Sequence, residues 1–184
     1  MHRRFVSVLG IGLLVASVAW SQSPSPPAPI DYGFPPADFK RGEPPARGPE
    51  ARLAIEAVEA ALDACAMNGY KVAAVVVNSK DEPIALLKAD GALRIAVESA
   101  QRKAFVVIRT KLPSAAAEER VKTDLDFARE LAATGRALPG AGALPIKVGD
   151  EVIGAIGVGG APPPGERDEV CARAGLAKIA DRLK

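Results

Sequence analysis

Hydrophobic residues recur at helical spacing along four stretches of the chain. In residues 50–68 they fall on one face: Leu53, Ala57, Val58, Ala61, Leu62 and Cys65. The same spacing predicts a long helix over 93–112, which ends before Pro113, and a third helix from Ser114 to about Thr134. Residues 166–183 form a terminal helix with acidic residues in its first turn.

Four shorter segments have the composition of β-strands. Residues 72–77 are a continuous apolar run typical of a strand that is covered on both faces, and 84–88 follow after a polar turn. Gly149-Asp150 joins 146–148 to 151–161 as a tight hairpin. Because short hairpin links require antiparallel neighbours, the order of elements predicts an α/β three-layer sandwich around a mixed or antiparallel sheet.

The first 49 residues have a different character. Residues 1–21 have the pattern of a secretory signal peptide, with a basic start, an apolar run and a small-residue cleavage site, and we expect no membrane span after cleavage. Residues 22–49 hold nine of the 16 prolines and are interpreted as a linker, although a proline motif that binds a partner is the alternative. Four large apolar residues in this linker could dock on the domain or on a neighbouring subunit: Ile30, Tyr32, Phe34 and Phe39. The domain itself is assigned to 50–184, in the periplasm or outside the cell.

Charge and composition exclude several classes of function. The formal net charge of +2 is accounted for by Arg3 and Arg4 in the signal peptide, so the exported part is neutral. A neutral chain with one Trp, two Tyr and five Phe lacks the basic surface and stacking aromatics of nucleic-acid binding. His2 is the only histidine, which argues against a Ser-His-Asp triad and a His-ligated zinc site. Whether the protein is an enzyme is left open, and the residue inventory favours the view that it is not.

Three features are candidates for chemistry. Glycines recur at 154, 157, 159 and 160 without the spacing of a nucleotide loop, so the strand either packs closely against a helix or forms the wall of a ligand pocket. Cys65 and Cys171 lie on the apolar sides of the first and last helices and are either a disulfide or two buried thiols. The second helix is basic and is either a solvated face or an edge that binds carboxylates, through Arg94, Arg102, Lys103, Arg109 and Lys111.

Four blocks of sequence together resemble the GlcG/HbpS-like family, described as haem-degrading or haem-binding, which includes the C-terminal domain of PduO-type proteins. The blocks are Val72 to Val77 after an Ala-rich helix, Asp90-Gly91-Ala92 followed by Ser99 and Lys103-Ala104, Gly142 to Ile146, and Ile153 to Ala161 with Asp168 after it. The resemblance covers about 50–184. It implies a profilin-like sandwich with a five-stranded antiparallel sheet, one strand more than the pattern predicts, and assembly into dimers or larger rings.

The resemblance makes an exported small-ligand-binding protein the leading hypothesis, with haem or a related tetrapyrrole as the ligand. The candidate ligand-binding residues are Asp90, Gly91, Lys103, Gly142, Gly157, Gly159 and Gly160. Since no histidine remains after signal cleavage, a haem iron would need Tyr70, Met67, a hydroxyl such as that of Thr110, or a second subunit. The alternatives are an enzyme that degrades haem or processes a small acid through Lys103 and Asp90, and an oligomeric structural or sensory protein.

Overall fold

The computed structural model describes residues 46–184, so the predicted signal peptide and nearly all of the proline-rich linker lie outside the described residues. The elements are α1 (Ala51–Ala66), β1 (Ala73–Asn78), β2 (Pro83–Lys88), α2 (Arg94–Thr110), α3 (Ser114–Thr123), α4 (Leu125–Ala133), β3 (Ala143–Val148), β4 (Glu151–Gly159) and α5 (Glu166–Ile179). A short 3-10 helix, Ala180–Arg182, follows α5. Within 46–184, no helix is long and apolar enough to cross a membrane.

The strands form one antiparallel sheet in the order β2-β1-β4-β3. The tight hairpin at Gly149-Asp150 is confirmed, with Val148 paired to Glu151. Residues 46–184 contain four strands, as the hydrophobic pattern predicts, and the fifth strand implied by the resemblance is not among them. The segment before β3 does not form one, since Gly140 and Gly142 have φ values of 146° and 136°, outside the β region.

Helices lie on both faces of the sheet because the central strands alternate their side chains between two clusters. Ala74 and Val76 of β1 pack with Ile156 and Val158 of β4 against α1 and α5. Val75 and Val77 point the other way and pack against α2, together with Ala155. The continuous apolar run of β1 therefore has the predicted cause, a strand buried on both faces.

The helix predicted over 114–134 is in fact two helices. Asp124 adopts an extended conformation (φ −122°, ψ 98°) and its Oδ1 accepts a hydrogen bond from the backbone N–H of Phe127 at 3.0 Å, so it ends α3 and caps α4. Ser114 is also not the cap that the sequence suggested. Its buried hydroxyl accepts from the N–H of Ala143 at 2.8 Å and donates to the carbonyl of the same residue at 3.2 Å, which fixes α3 to β3.

Cys65 and Cys171 form a disulfide, which decides between the two alternatives left open by the sequence. It joins the end of α1 to α5, with the two Cα atoms 5.5 Å apart. The two helices lie so close here that a Cβ added to Gly175 of α5 would overlap the carbonyl oxygen of Ala57 in α1. The covalent bond therefore closes an interface that is already tightly packed.

We expect the double substitution C65A/C171A to lower the free energy of unfolding by about 2–5 kcal/mol, because the disulfide constrains a long loop of the unfolded chain. The loop is long because the two cysteines are 106 residues apart. Urea unfolding followed by circular dichroism measures the loss. The unsubstituted protein in dithiothreitol is the matched control and should unfold with the variant. Equal urea midpoints for the oxidised and reduced protein would contradict the prediction.

Candidate functional site

A buried ion pair lies at the end of the sheet where β4 finishes. Lys103 of α2 is 6% exposed and Asp168 in the first turn of α5 is 4% exposed. The Lys103 Nζ donates to Asp168 Oδ2 at 2.7 Å, and Asp168 Oδ1 accepts from the backbone N–H of Ala161 at 2.9 Å. The pair thus joins α2, α5 and the segment after β4.

Gly142 makes room for the Lys103 side chain. A Cβ at position 142 would lie 2.7 Å from Lys103 Nζ and 2.8 Å from the carbonyl oxygen of Val158, and φ there is 136°. Two of the sequence-predicted site residues, Lys103 and Gly142, are therefore brought together. Lys103 contacts the carboxylate of Asp168, so the buried positive charge has a partner of opposite charge.

Gly157 and Gly159 of β4 lie against α2, where the sequence suggested an open groove. A Cβ at Gly157 would overlap the carbonyl oxygen of Ala100, and one at Gly159 would lie 2.7 Å from the backbone N of Ala100. Gly160 approaches the same helix, since its Cβ would lie 2.7 Å from that of Ala96. Of the two interpretations weighed from the sequence, a helix packs on this strand and fills the groove predicted beside Gly157.

Asp90 and Gly91 lie in the turn between β2 and α2, apart from the ion pair. Asp90 is exposed, and a Cβ at Gly91 would lie 3.0 Å from Lys71 Nζ. Gly160 also approaches Lys71, at the backbone carbonyl oxygen (3.1 Å from its added Cβ). Asp90, Gly91 and Gly160 therefore lie at the same end of the sheet as Lys103. Among the interactions of the described residues there is no direct contact between Asp90 and Lys103.

An open cleft lies at this end of the sheet, between α1 and α5. The cleft has a volume of about 130 Å³ and is lined by Asn68, Tyr70, Arg167, Val170 and Cys171. The Arg167 guanidinium carbon lies 5.7 Å from the centre of the Tyr70 ring. Val170 faces solvent there and is 61% exposed, and Met67, three residues before Tyr70, is 83% exposed.

The buried ion pair and the open cleft depend on the same turn of α5. Arg167 and Asp168 are consecutive, so one side chain lines the cleft while the next reaches Lys103. The disulfide fixes α5 to α1 three residues later, at Cys171. Sequence reasoning included Asp168 in the family resemblance but not among the ligand-binding residues, and it gave no signal for Arg167. Both depend on contacts between distant segments.

The basic helix α2 is only partly a solvated face. Lys103 is buried, and Arg102 donates to the backbone carbonyls of Arg136 and Ala137 and pairs with Glu98. Arg109 is exposed and lines a second cavity with Thr110. Thr110, one of the predicted iron ligands, is thus in a different cavity from Tyr70. The described part of the chain has no cluster of three or more His, Cys, Asp or Glu residues that could hold a metal ion.

Comparison with known proteins agrees with this architecture. The family described as "Haem degrading protein HbpS-like" matches residues 50–177. The chain belongs to the HbpS-like family. The crystal structure of HbpS is 32% identical to it, with a TM-score of 0.65, over 75% of this chain and 96% of that one. A double mutant of HbpS from Streptomyces reticuli is 29% identical, with a TM-score of 0.64, over 82% and 97% of the two chains.

More distant structures share the fold of this HbpS-like chain. A complex of PduOC with haem has a TM-score of 0.66 at 18% identity, and the alignment covers 74% of this chain and 97% of PduOC. At that identity the likeness establishes the fold alone. None of the curated proteins matches the chain.

In this HbpS-like chain we expect K103M or D168M alone to lower the free energy of unfolding by about 3–5 kcal/mol, because each leaves a buried charge without its partner. The double variant K103M/D168M should lose less than either single variant, since no buried charge remains. R173Q is the matched control: it removes the exposed pair between Arg173 and Glu169 on the same helix and should cost less than about 1 kcal/mol.

Urea unfolding of the four variants measures these differences. Losses in the double variant equal to the sum of the two single losses would show that Lys103 and Asp168 do not act as a pair.

Proposed function

We propose that this protein is exported and binds haem or a related tetrapyrrole at the cleft between α1 and α5. The family's description as haem-degrading and the haem complex of PduOC support a haem-related ligand. The observation that carries the proposal is the position of the Tyr70 phenol, which lines an open cleft beside the Arg167 guanidinium and the exposed side chain of Val170.

The side chains at this cleft fit a haem group. Protein ligands to haem iron are chiefly His, Cys, Met and Tyr. In residues 46–184 there is no histidine and both cysteines are in the disulfide, which leaves Met67 and Tyr70. Of these, Tyr70 lines the cleft, and Met67, at the C-terminal cap of α1, is three positions before it.

The remaining groups of the cleft suit the other parts of a tetrapyrrole. Arg167 has no carboxylate partner among the described residues and donates one hydrogen bond of 3.4 Å, to the carbonyl of Pro162, so its charge is available to a propionate. Val170 offers exposed apolar surface to the ring. Ligand pockets that enclose small molecules typically have about 300–1,000 Å³. The cleft, at about 130 Å³, is smaller than that, so most of the macrocycle would lie on the surface around Tyr70.

Tyr70 would hold the iron, Arg167 would bind one propionate, and Val170 would offer apolar surface to the ring. A bound haem would supply iron-centred redox chemistry. Lys103 and Asp168 take part indirectly, because they hold the turn of α5 that carries Arg167.

We expect purified protein to give a saturable shift of the Soret band when titrated with hemin at micromolar concentration. Y70F should weaken hemin binding about tenfold or more and leave the binding of metal-free protoporphyrin IX unchanged, because only the iron contact is removed. M67L is the matched control and should bind hemin as tightly as the unsubstituted protein, because Tyr70 and not Met67 is the proposed iron ligand. No saturable shift, or an equal affinity of Y70F and the unsubstituted protein for hemin, would contradict the proposal.

Haem breakdown is a second candidate function, and the family's description as haem-degrading favours it. The chain's shortage of histidine is less of an objection here, because the iron carries the chemistry. The same hemin complex, supplied with a reductant or with peroxide, distinguishes the two functions. A stable Soret band indicates binding alone, and the appearance of a ring-opened product indicates degradation.

Export is part of the proposal, and assembly into a homo-oligomer, with residues 22–49 as a linker or arm, is a further expectation from the resemblance. The disulfide supports an oxidising compartment such as the periplasm or the cell exterior. Expression of the full chain in a bacterial host should yield an extracytoplasmic protein whose N-terminus is Gln22. A chain that lacks 1–21 is the control and should stay in the cytoplasm, and a protein that keeps Met1 after fractionation would contradict the assignment.

A further inference from the structure

A second cavity lies between the end of α2 and the two short helices that follow it. It has a volume of about 250 Å³ and is lined by Arg109, Thr110, Arg120, Phe127, Glu130 and Leu131. Since a water molecule takes up about 30 Å³ of liquid, this space is large enough for a small organic molecule. It shares no lining residue with the cleft at Tyr70.

Arg120 is held in place before any ligand arrives. Its Nε and one terminal nitrogen donate to Asp124 Oδ2 at 3.1 and 2.9 Å, and its guanidinium carbon lies 4.3 Å from the centre of the Phe127 ring. Asp124 is itself fixed, because its other oxygen caps α4. The hydrogen bonds from the Phe127 backbone and from Arg120 lower the pKa of Asp124, so its carboxylate stays charged. A ligand that binds Arg120 therefore orders little new side chain.

Arg109, in the last turn of α2, has no hydrogen bond or ion pair within residues 46–184, and it brings a second guanidinium to the cavity. The Thr110 hydroxyl already has partners within the protein: it donates to the carbonyl of Val106 at 2.7 Å and accepts from the N–H of Leu112 at 3.2 Å. The hydroxyl proton is used, so the guanidiniums are the donors that a ligand meets. The cavity walls therefore select an acceptor with negative charge.

Glu130 and the apolar residues of the cavity narrow the class of ligand further. Glu130 lines the cavity and Asp124 pairs with Arg120, so two carboxylates balance the two guanidiniums; Arg109 is the guanidinium without an ion-pair partner among the described residues, and Glu130 repels a second acidic group on the ligand. Leu131 is buried and Phe127 is half-buried, which gives the cavity an apolar wall for a hydrocarbon chain. Monocarboxylates with a short apolar part meet both conditions.

We propose that this cavity is a binding site for an organic monocarboxylate, whose carboxylate is bound by Arg109 and Arg120 and whose hydrocarbon part lies on Phe127 and Leu131. A free small acid and the propionate of a tetrapyrrole present the same chemistry, and the experiment below separates these two sources. The site does not depend on haem binding at Tyr70.

Butyrate is the probe, and amide chemical shifts of the ¹⁵N-labelled protein in low-salt buffer are the measurement. We expect saturable shifts at Thr110 and Phe127 with an affinity in the millimolar range. The neutral isostere butyramide should give no saturable shift, and the dicarboxylate succinate should bind more weakly than butyrate. R109Q should weaken butyrate binding about five- to tenfold, because it removes a charged donor from a surface site.

R129Q is the matched control, because Arg129 is on α4, pairs with Asp126 and does not line the cavity. The proposal is overturned if butyrate gives no saturable shift, if butyramide or sulfate binds as tightly, or if R129Q weakens binding as much as R109Q. Y70F should bind butyrate normally, so failure of the haem site and failure of this site are distinguishable.

Protoporphyrin IX and its dimethyl ester identify the source of the carboxylate. Displacement of butyrate by the free acid but not by the ester assigns the site to a tetrapyrrole propionate. Butyrate that is displaced by neither compound assigns it to a free acid.

Discussion

The ion pair between Lys103 and Asp168 is the constraint on which the arrangement of this end of the molecule depends. Two opposite charges are removed from water and placed 2.7 Å apart. Such a pair adds little net stability compared with apolar residues of the same size, yet the loss of either partner is expensive. Its effect is to permit one position of α5 relative to α2, since any other position would leave a charge unpaired in the interior. The position of the exposed residues on the same turn of α5 is therefore fixed as well.

Small residues play a comparable part on both faces of the sheet. Gly157 and Gly159 allow α2 to lie directly on the backbone of β4, and Gly175 allows α5 to approach α1 closely enough for the disulfide. A core built of Ala, Val and Gly has few large side chains to lock it, so close approach of backbones and a covalent bond take over part of that function. The scarcity of aromatic residues in the sequence has this structural consequence.

The strands and most helices follow from local pattern, because burial on one or two faces leaves a visible periodicity. The sequence pattern did not reveal the break between α3 and α4 at Asp124. An aspartate inside a helical pattern shows its capping role only through its hydrogen bond to Phe127. The site was harder to predict for a related reason. Lys103 and Asp168 are 65 positions apart, and nothing near either residue indicates that they meet. The sequence alone could not show whether a helix or a ligand packs against the glycines of β4, because either one needs the space that a missing side chain leaves.

The arginines indicate where a ligand can be recognised. Most of those in the described residues already have an acidic partner, such as Glu98 for Arg102 and Glu169 for Arg173. Arg109 and Arg167 have no such partner among these residues, and each lines a cavity. A guanidinium without such a partner exchanges only water when it binds a ligand, and Arg120, although paired with Asp124, keeps a terminal nitrogen that this pair does not use. Because the buried lysine is saturated by Asp168, recognition of an anionic ligand falls to surface arginines outside the glycine-rich strand: Arg167 in the cleft, and Arg109 with Arg120 in the second cavity.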